Sequence, residues 1–346
     1  MSRRSSGKKE NKSRASSGTR TSKPAVFLLG FLLILVGIFG ILYNPSSSAG
    51  AASPWEISEA GTLSFLEGPV REEPVVTIKE IEDVYAPENS GTLKLLSFES
   101  RGEKLQALLR IPGNSISASS ASSSASSTTP SSPGLILLPG AGVSKEAEQG
   151  LAVELSKMGY ATLTLDQRNL GSISTERDLE LFKAGLEPVE YSMVYDALKA
   201  SDVLAAQPEI DPERLAILGE SNGGRFAVLA CALNPSLKGV IGISTAGYST
   251  EEIDPSLTDN PSLAGNPEAY RFYRSIDPDT YLAALPPAKF VQIHSFNDPV
   301  IPHDLALRTF ALAKEPKAMY NVTEATHGYA ASMRPYLEKE LALLLN

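Results

Sequence analysis

The chain has 346 residues, 42% of them hydrophobic, with 31 lysines and arginines against 40 acids, a net charge of −9 and one cysteine. Length and composition suit a globular core. The single cysteine excludes a disulfide within the chain, and the acidic balance excludes the basic surface that grips nucleic-acid phosphates.

Residues 1–24 hold eight basic side chains against Glu10 alone, without periodicity, and read as a disordered basic tail. From Ala25 to Tyr43, AVFLLGFLLILVGIFGILY runs for nineteen residues without a charge, close to the roughly 20 a helix needs to cross a bilayer. This predicts a single transmembrane helix with the tail in the cytoplasm and everything after Tyr43 outside the membrane. The alternative is a signal peptide cleaved near Ala51, where AGAA at 49–52 offers an A-x-A-like site, and a secreted body. The apolar run is long for a signal h-region of about 7 to 15 residues, which favours the anchor. Residues 44–74 read as a linker.

Three leading strands follow, TIKEIEDV (77–84), TLKLLSFES (92–100) and EKLQALLRI (103–111), the last two a hairpin turning at Arg101-Gly102. The low-complexity stretch 114–134 lies between strand-like segments, so it reads as a disordered loop insertion, which costs little closure entropy. From Gly134 onward short apolar runs alternate with helical periodicity. The runs are LILL (135–138), ATLTL (161–165), LAIL (215–218), GVIGIS (239–244), FVQIH (290–294) and AMYNV (318–322). Helices are predicted over 145–158, 190–206, 223–233, 304–313 and 330–345. The pattern predicts an α/β fold, a mostly parallel sheet of about eight strands with helices on both faces. Cys231, inside AVLACAL, reads as a small core residue. Asn321-Val322-Thr323 fits an N-glycosylation acceptor.

In open α/β sheets ligands bind beyond the carboxyl ends of the strands, so the residues after each apolar run are the candidates. After LAIL comes Gly219-Glu220-Ser221-Asn222-Gly223-Gly224 and a helix. A serine that projects above a sheet sits on a very sharp strand-to-helix turn, and glycines at Gly219 and Gly223 avoid the Cβ collisions of that turn. The helix start also aims free N–H groups toward Ser221. A serine nucleophile needs an adjacent base, and the chain has three histidines, His294, His303 and His327. His294 lies within its strand and reads as a packing residue. His303, between Pro302 and Asp304, reads as a helix-entry or rim residue.

With these motifs the chain resembles the α/β-hydrolase superfamily, and more narrowly its dienelactone-hydrolase-like and prolyl-oligopeptidase-like catalytic domains. The likeness covers about residues 75–346, which it implies are the hydrolase domain. EIDPERLAILGESNGG looks like the approach to the nucleophile elbow, and FVQIHSFNDPVIP like the strand that delivers the acid. The family order of serine, acid, histidine implies Ser221 as nucleophile, Asp298 as acid and His327, in EATHGYA, as base. Asp304 and Glu324 remain alternative acids. By the same match LPGAG (138–142) places an oxyanion hole at the N–H groups of Ala141 and Asn222. Two positions depart from the family pattern, Pro139 in place of a histidine and Ser295 in place of a glycine. Asp166 and Arg168 resemble its Asp-x-Arg-Gly segment, with Arg168 a loop-fixing residue.

The histidines and cysteine show no metal-ligand spacing, and neither a dinucleotide fingerprint nor a phosphate loop is present, so no metal or cofactor is expected. Two insertions, 169–188 and 246–288, are placed to roof the site as a small lid, the second offering Tyr248, Tyr270, Phe272, Tyr273 and Tyr281 as an aromatic wall. Only about forty residues separate the apolar run from the first family-like strand, too few for a propeller that gates large substrates. The expectation is a membrane-anchored carboxylesterase taking a small-molecule ester through an acyl-enzyme. The alternatives are a peptidase or thioesterase of the same fold, or a non-catalytic binding module.

Overall fold

The computed structural model describes residues 54–66, 75–88, 91–113, 131–168, 174–248, 253, 254, 256, 259 and 264–346. The predicted tail and membrane span, and residues 114–130 of the Ser-rich insertion, lie outside the described residues. Among those described, no helix is long and apolar enough to cross a membrane.

The chain order is β1 (Trp55–Ile57), β2 (Leu63–Phe65), β3 (Val76–Ile81), β4 (Thr92–Ser100), β5 (Glu103–Ile111), β6 (Ser132–Leu138), α1 (Gln149–Lys157), β7 (Ala161–Leu165), α2 (Thr175–Lys183), α3 (Val189–Ala205), β8 (Ile210–Glu220), α4 (Asn222–Leu233), β9 (Gly239–Ile243), α5 (Pro267–Ile276), β10 (Lys289–Ser295), α6 (His303–Leu312), β11 (Lys317–Val322) and α7 (Arg334–Leu345). Nine strands form one sheet in the order β11-β10-β9-β8-β6-β7-β5-β4-β3. β6 to β11 run parallel, and β5, β4 and β3 add antiparallel at one edge. The expectation of about eight strands thus becomes nine in the main sheet, because the leading hairpin and β3 all join it.

Both faces of the parallel strands are covered, which is why they read as continuous apolar runs. In β6, Ile136 and Leu138 point into the core shared with α3 and α4, while Leu135 and Leu137 pack with Leu151 and Leu155 of α1 and Leu337 and Leu341 of α7. β8 divides its side chains likewise, Leu215 and Ile217 to the first core, Ala216 and Leu218 to the second. Cys231 is buried, and burial pushes its thiol up to about 12.

The stretch expected to be linker, 44–74, contains a two-stranded antiparallel hairpin, β1 with β2. Trp55, Ile57 and Leu63 are buried, Trp55 stacks on Phe182 at 5.7 Å, and the Leu63 N–H donates to the Tyr281 hydroxyl at 2.8 Å. The compact unit begins at Ser53, not at residue 75. Strands of three residues are too short to show a period. Likewise Ser132 to Gly134, read as the end of the insertion, begin β6, and α1 starts four residues later than expected because 145–148 form turns.

Chain order sets the site. β6 connects through α1 to β7 on one side, whereas β8 pairs with the other side of β6. The connections therefore diverge between β6 and β8, and the crevice at such a switch point is where doubly wound sheets bind ligands. Ala141 follows β6 and Ser221 follows β8.

Candidate active site

Ser221 has φ 50 and ψ −119, a conformation rarely adopted by side-chain-bearing residues, between the end of β8 and the start of α4. The turn is so tight that a Cβ on Gly219 would lie 2.6 Å from Gly224 N, and one on Gly223 2.7 Å from the Leu138 carbonyl carbon. Both glycines are required for close backbone approach, as the motif implies. The Ser221 N–H donates to Ile243 O at 2.9 Å, tying the turn to the end of β9.

Three predicted side chains meet here. Ser221 Oγ lies 2.8 Å from His327 Nε2, and His327 Nδ1 lies 3.0 Å from both Asp298 oxygens. The Asp298 side chain is shielded from solvent while the imidazole is partly open, at 23%. Burial pushes the Asp298 carboxyl up, but the Ile301 and Val300 N–H groups and His327 together hold it below its ordinary value. An ionised acid thus faces one ring nitrogen and a hydroxyl the other, the arrangement that lets an imidazole take a proton from serine and keeps its charged form stable.

The alternatives are engaged elsewhere. Asp304 accepts from Leu305 N–H and Glu324 from the Ser332 hydroxyl. His294 is buried with Nε2 3.0 Å from Ile301 O, and burial lowers its pKa. His303 pairs with Oδ1 of Asn321, the asparagine of the glycosylation motif, at 2.9 Å.

Asn222 opens α4, so its N–H is one of the four that a helix leaves without an internal partner. Ala141 lies in the loop after β6, where Gly140 abuts the nucleophile: a Cβ there would lie 3.6 Å from Ser221 Cβ. Pro139, where the family pattern has histidine, is held through its backbone carbonyl. The buried Gln167 side-chain amide donates to Pro139 O. At the second departure, the Ser295 hydroxyl accepts from Asn297 N–H at 3.0 Å and donates to Glu324 O, joining the acid turn to the histidine loop. Arg168 fixes a loop as expected, with Nε 2.6 Å from Asp196 and Nη2 donating to Ser100 O at 2.7 Å.

The aromatic wall is corrected. Phe272, Tyr273 and Tyr281 are buried in the core: Phe272 of α5 meets Phe182 at 5.5 Å and Tyr191 at 6.1 Å, and the Tyr281 hydroxyl donates to Ser275 O at 2.6 Å. Tyr248 covers the Arg225 guanidinium, 4.4 Å from its ring centroid. A cavity of about 530 Å³ lies at the end of β7, lined by Gln106, Gln167, Arg168 and Val189 among others. Two anchors were not found from sequence. The Gly328 N–H donates to Ser244 Oγ at 3.0 Å and the Tyr329 N–H to Glu220 Oε1 at 2.6 Å. Glu220 stood in plain view inside the motif, but its partner lies 109 residues away. Among the described residues no cluster of His, Cys, Asp and Glu could hold a metal ion.

The model of the prolyl oligopeptidase family matches residues 151–345. Among curated proteins the chain is 29% identical over 150 residues to the uncharacterized protein YfhR of Escherichia coli O157:H7, covering 42% of this chain and 50% of that protein. It is 31% identical over 88 residues to the putative hydrolase YtaP of Bacillus subtilis (strain 168), covering 25% of this chain and 29% of that one. The match thus spans half or less of these relatives' lengths. Among solved structures it is similar to an acetyl xylan esterase from Paenibacillus sp. R4, with a TM-score of 0.62, 15% identity, and coverage of 79% of this chain and 89% of that one, a likeness of fold. The chain belongs to the prolyl oligopeptidase family, within the α/β-hydrolase superfamily.

Proposed function

We propose that the protein is a carboxylesterase for small acyl esters, with Ser221 as nucleophile, His327 as general base and acid, and Asp298 as the residue that orients and stabilises the imidazole. The observation that carries this reading is the continuous hydrogen-bonded line from Ser221 Oγ through His327 to Asp298. Ser221 Oγ attacks the ester carbonyl as its proton passes to His327 Nε2. The Ala141 and Asn222 N–H groups receive the carbonyl oxygen as it becomes negative. His327 then gives the proton to the leaving alcohol, and water repeats the sequence to release the acid from the acyl-enzyme.

Ester over amide is supported by a fold shared with a protein named as an acetyl xylan esterase. The family's own name favours a second reading, peptide hydrolysis. The two separate on substrate panels: short-chain nitrophenyl esters against peptide anilides. A fluorophosphonate probe tests the nucleophile in both cases. Labelling is expected in wild type and lost in Ser221→Ala; unlabelled but folded wild type refutes the enzyme reading in favour of a binding module.

The apolar run 25–43 and its basic flank support a membrane-tethered enzyme with its body outside the cytoplasm. Protease shaving of intact cells tests this, and a body that resists digestion until lysis reverses the orientation.

A further inference from the structure

His327 sits on a stretch of eleven residues between the end of β11 at Val322 and the start of α7 at Arg334, carrying only a short 3-10 turn at Ala331–Met333. No regular strand or long helix holds the imidazole at its position. The two amides that follow it are instead gripped by side chains from the strand ends beneath. Gly328 N–H donates to Ser244 Oγ, and Tyr329 N–H to Glu220 Oε1. Ser244 is fully buried and, like Ser221, sits at positive φ, 49, at the end of β9. Glu220 immediately precedes Ser221, and a Cβ on Gly328 would lie 3.2 Å from its second oxygen. That packing leaves Glu220 little room to move without moving the histidine loop.

Glu220 also has a buried acidic partner. Glu148, 5% exposed at the N-terminal end of α1, has its Oε1 buried without a partner, and burial together with the neighbouring Glu220 charge pushes its carboxyl up. Two neighbouring carboxyl groups in a poorly hydrated place favour holding one proton between them, which leaves one member neutral. The titratable groups that bear on the pair are His327 and the Tyr329 phenol from the loop above. Lys145, earlier in the same segment, is taken by Asp166 and Glu146.

Building on the Ser221–His327–Asp298 reading, we propose that Glu220 and Ser244 are positioning residues for His327, and that the proton shared by Glu148 and Glu220 is a pH-sensitive latch on that position. With the proton present, Glu148 donates to Glu220 and Glu220 keeps the Tyr329 amide. With it gone, two adjacent carboxylates repel in a poorly hydrated place, Glu220 withdraws, and the histidine loop loses its anchor at the Tyr329 amide. Burial and the neighbouring Glu220 charge push the Glu148 carboxyl up to about 8, which puts the release in the mildly alkaline range.

The test uses the full-length chain and short-chain nitrophenyl esters followed by pH-stat. Glu220→Ala is expected to lower kcat by about 10- to 100-fold with KM changed by less than about threefold, since misplacement of a reacting group acts on the chemical step. Glu220→Gln keeps an oxygen for Tyr329 N–H and an N–H for Glu148, and recovers most of that loss. Glu148→Gln keeps a donor that cannot titrate and flattens the alkaline fall of kcat between pH 7 and 9. Hydrogen exchange of residues 324–330, corrected for intrinsic rates, is expected to quicken at pH 9 in wild type and not in Glu148→Gln. This second measurement stands even if Glu220→Ala does not fold. An unchanged kcat in Glu220→Ala, or an alkaline limb and exchange that persist in Glu148→Gln, overturns the proposal. Failure of the underlying reading shows separately, as turnover that survives in Ser221→Ala.

Discussion

The conformation of Ser221 makes a prediction in which stability and activity part company. At φ 50 and ψ −119 the backbone is held where a Cβ is costly, and such residues carry strain of about 1 to 3 kcal/mol. Replacing Ser221 with alanine keeps that strain and removes the 2.8 Å hydrogen bond to His327. Replacing it with glycine removes the same bond and the strain too, against an added unfolded-state entropy of roughly 0.5 to 1 kcal/mol. The difference between the two inactive variants therefore isolates the strain, and glycine should be the more stable by about 1 kcal/mol. For a body of this size that is a rise in Tm of roughly 2 to 4 °C, read by differential scanning calorimetry on Ser221→Ala and Ser221→Gly side by side. A glycine variant that melts at or below the alanine variant would mean the turn is not strained, and the argument from the elbow's backbone would fall.

Asp298→Asn should leave KM within a few-fold and cut kcat by about 10³- to 10⁴-fold, because an amide cannot stabilise the imidazolium or fix its tautomer; steady-state kinetics on a folded variant decide it. Arg110 is buried and donates to both Asp83 oxygens and to Gln149 Oε1, so Arg110→Ala should cost about 3 kcal/mol in urea unfolding. The Arg110→Ala/Asp83→Ala double variant should recover part of that, and strict additivity would refute the pairing. Trp55→Ala removes the stacking on Phe182 at 5.7 Å and the edge contact with Tyr191 at 5.1 Å, and should destabilise by about 3 kcal/mol; a shift below about 0.5 kcal/mol would show the hairpin to be loosely docked. Glu148 holds a proton in the folded state that the unfolded chain releases above about 4.5, so stability falls as pH rises from there toward about 8. Glu148→Gln should therefore melt higher than wild type by a margin that widens over that window, and a margin equal at pH 5 and pH 8 contradicts the sign.

What could be read from the sequence follows how local each constraint is. The elbow was legible because its cause is local: two glycines within two residues of a serine, demanded by backbone atoms that collide nearby. β4, β5 and β7 were legible to the residue because a strand covered on one or both faces writes its burial into its apolar pattern. The hairpin at 55–65 was not, since WEI and LSF are too short to show alternation and their stability comes from Phe182, Tyr191 and Tyr281, more than a hundred residues away. Helix α5 was equally hidden, though Asn266-Pro267 carries a start signal, an Asn side chain that caps Ala269 N–H and a proline at the first helical position. Asp298 and His327 became legible only through resemblance, because nothing within ten residues of either says that the two face each other.

The same distinction explains why the supports of the histidine escaped notice while the histidine did not. A catalytic base is limited to a few side-chain types, so three histidines are few enough to weigh one by one. An anchor needs only an acceptor oxygen in the right place, and the chain offers many acids and hydroxyls that could serve. Three of the cross-links that hold the loop after β11 are the Ser295 hydroxyl to Glu324 O, Ser244 to Gly328 N–H and Glu220 to Tyr329 N–H. Each starts from the end of a different strand, β10, β9 and β8, and each reaches backbone, not side chain. At Glu324 and Tyr329 the loop's own side chains are thus less constrained than the residues beneath, whereas Gly328, at φ 91 with a Cβ placed 3.2 Å from Glu220 Oε2, is not. Exchanging Glu324 or Tyr329 should disturb catalysis less than exchanging Ser295 or Glu220, an asymmetry that paired alanine variants and their kcat values can measure.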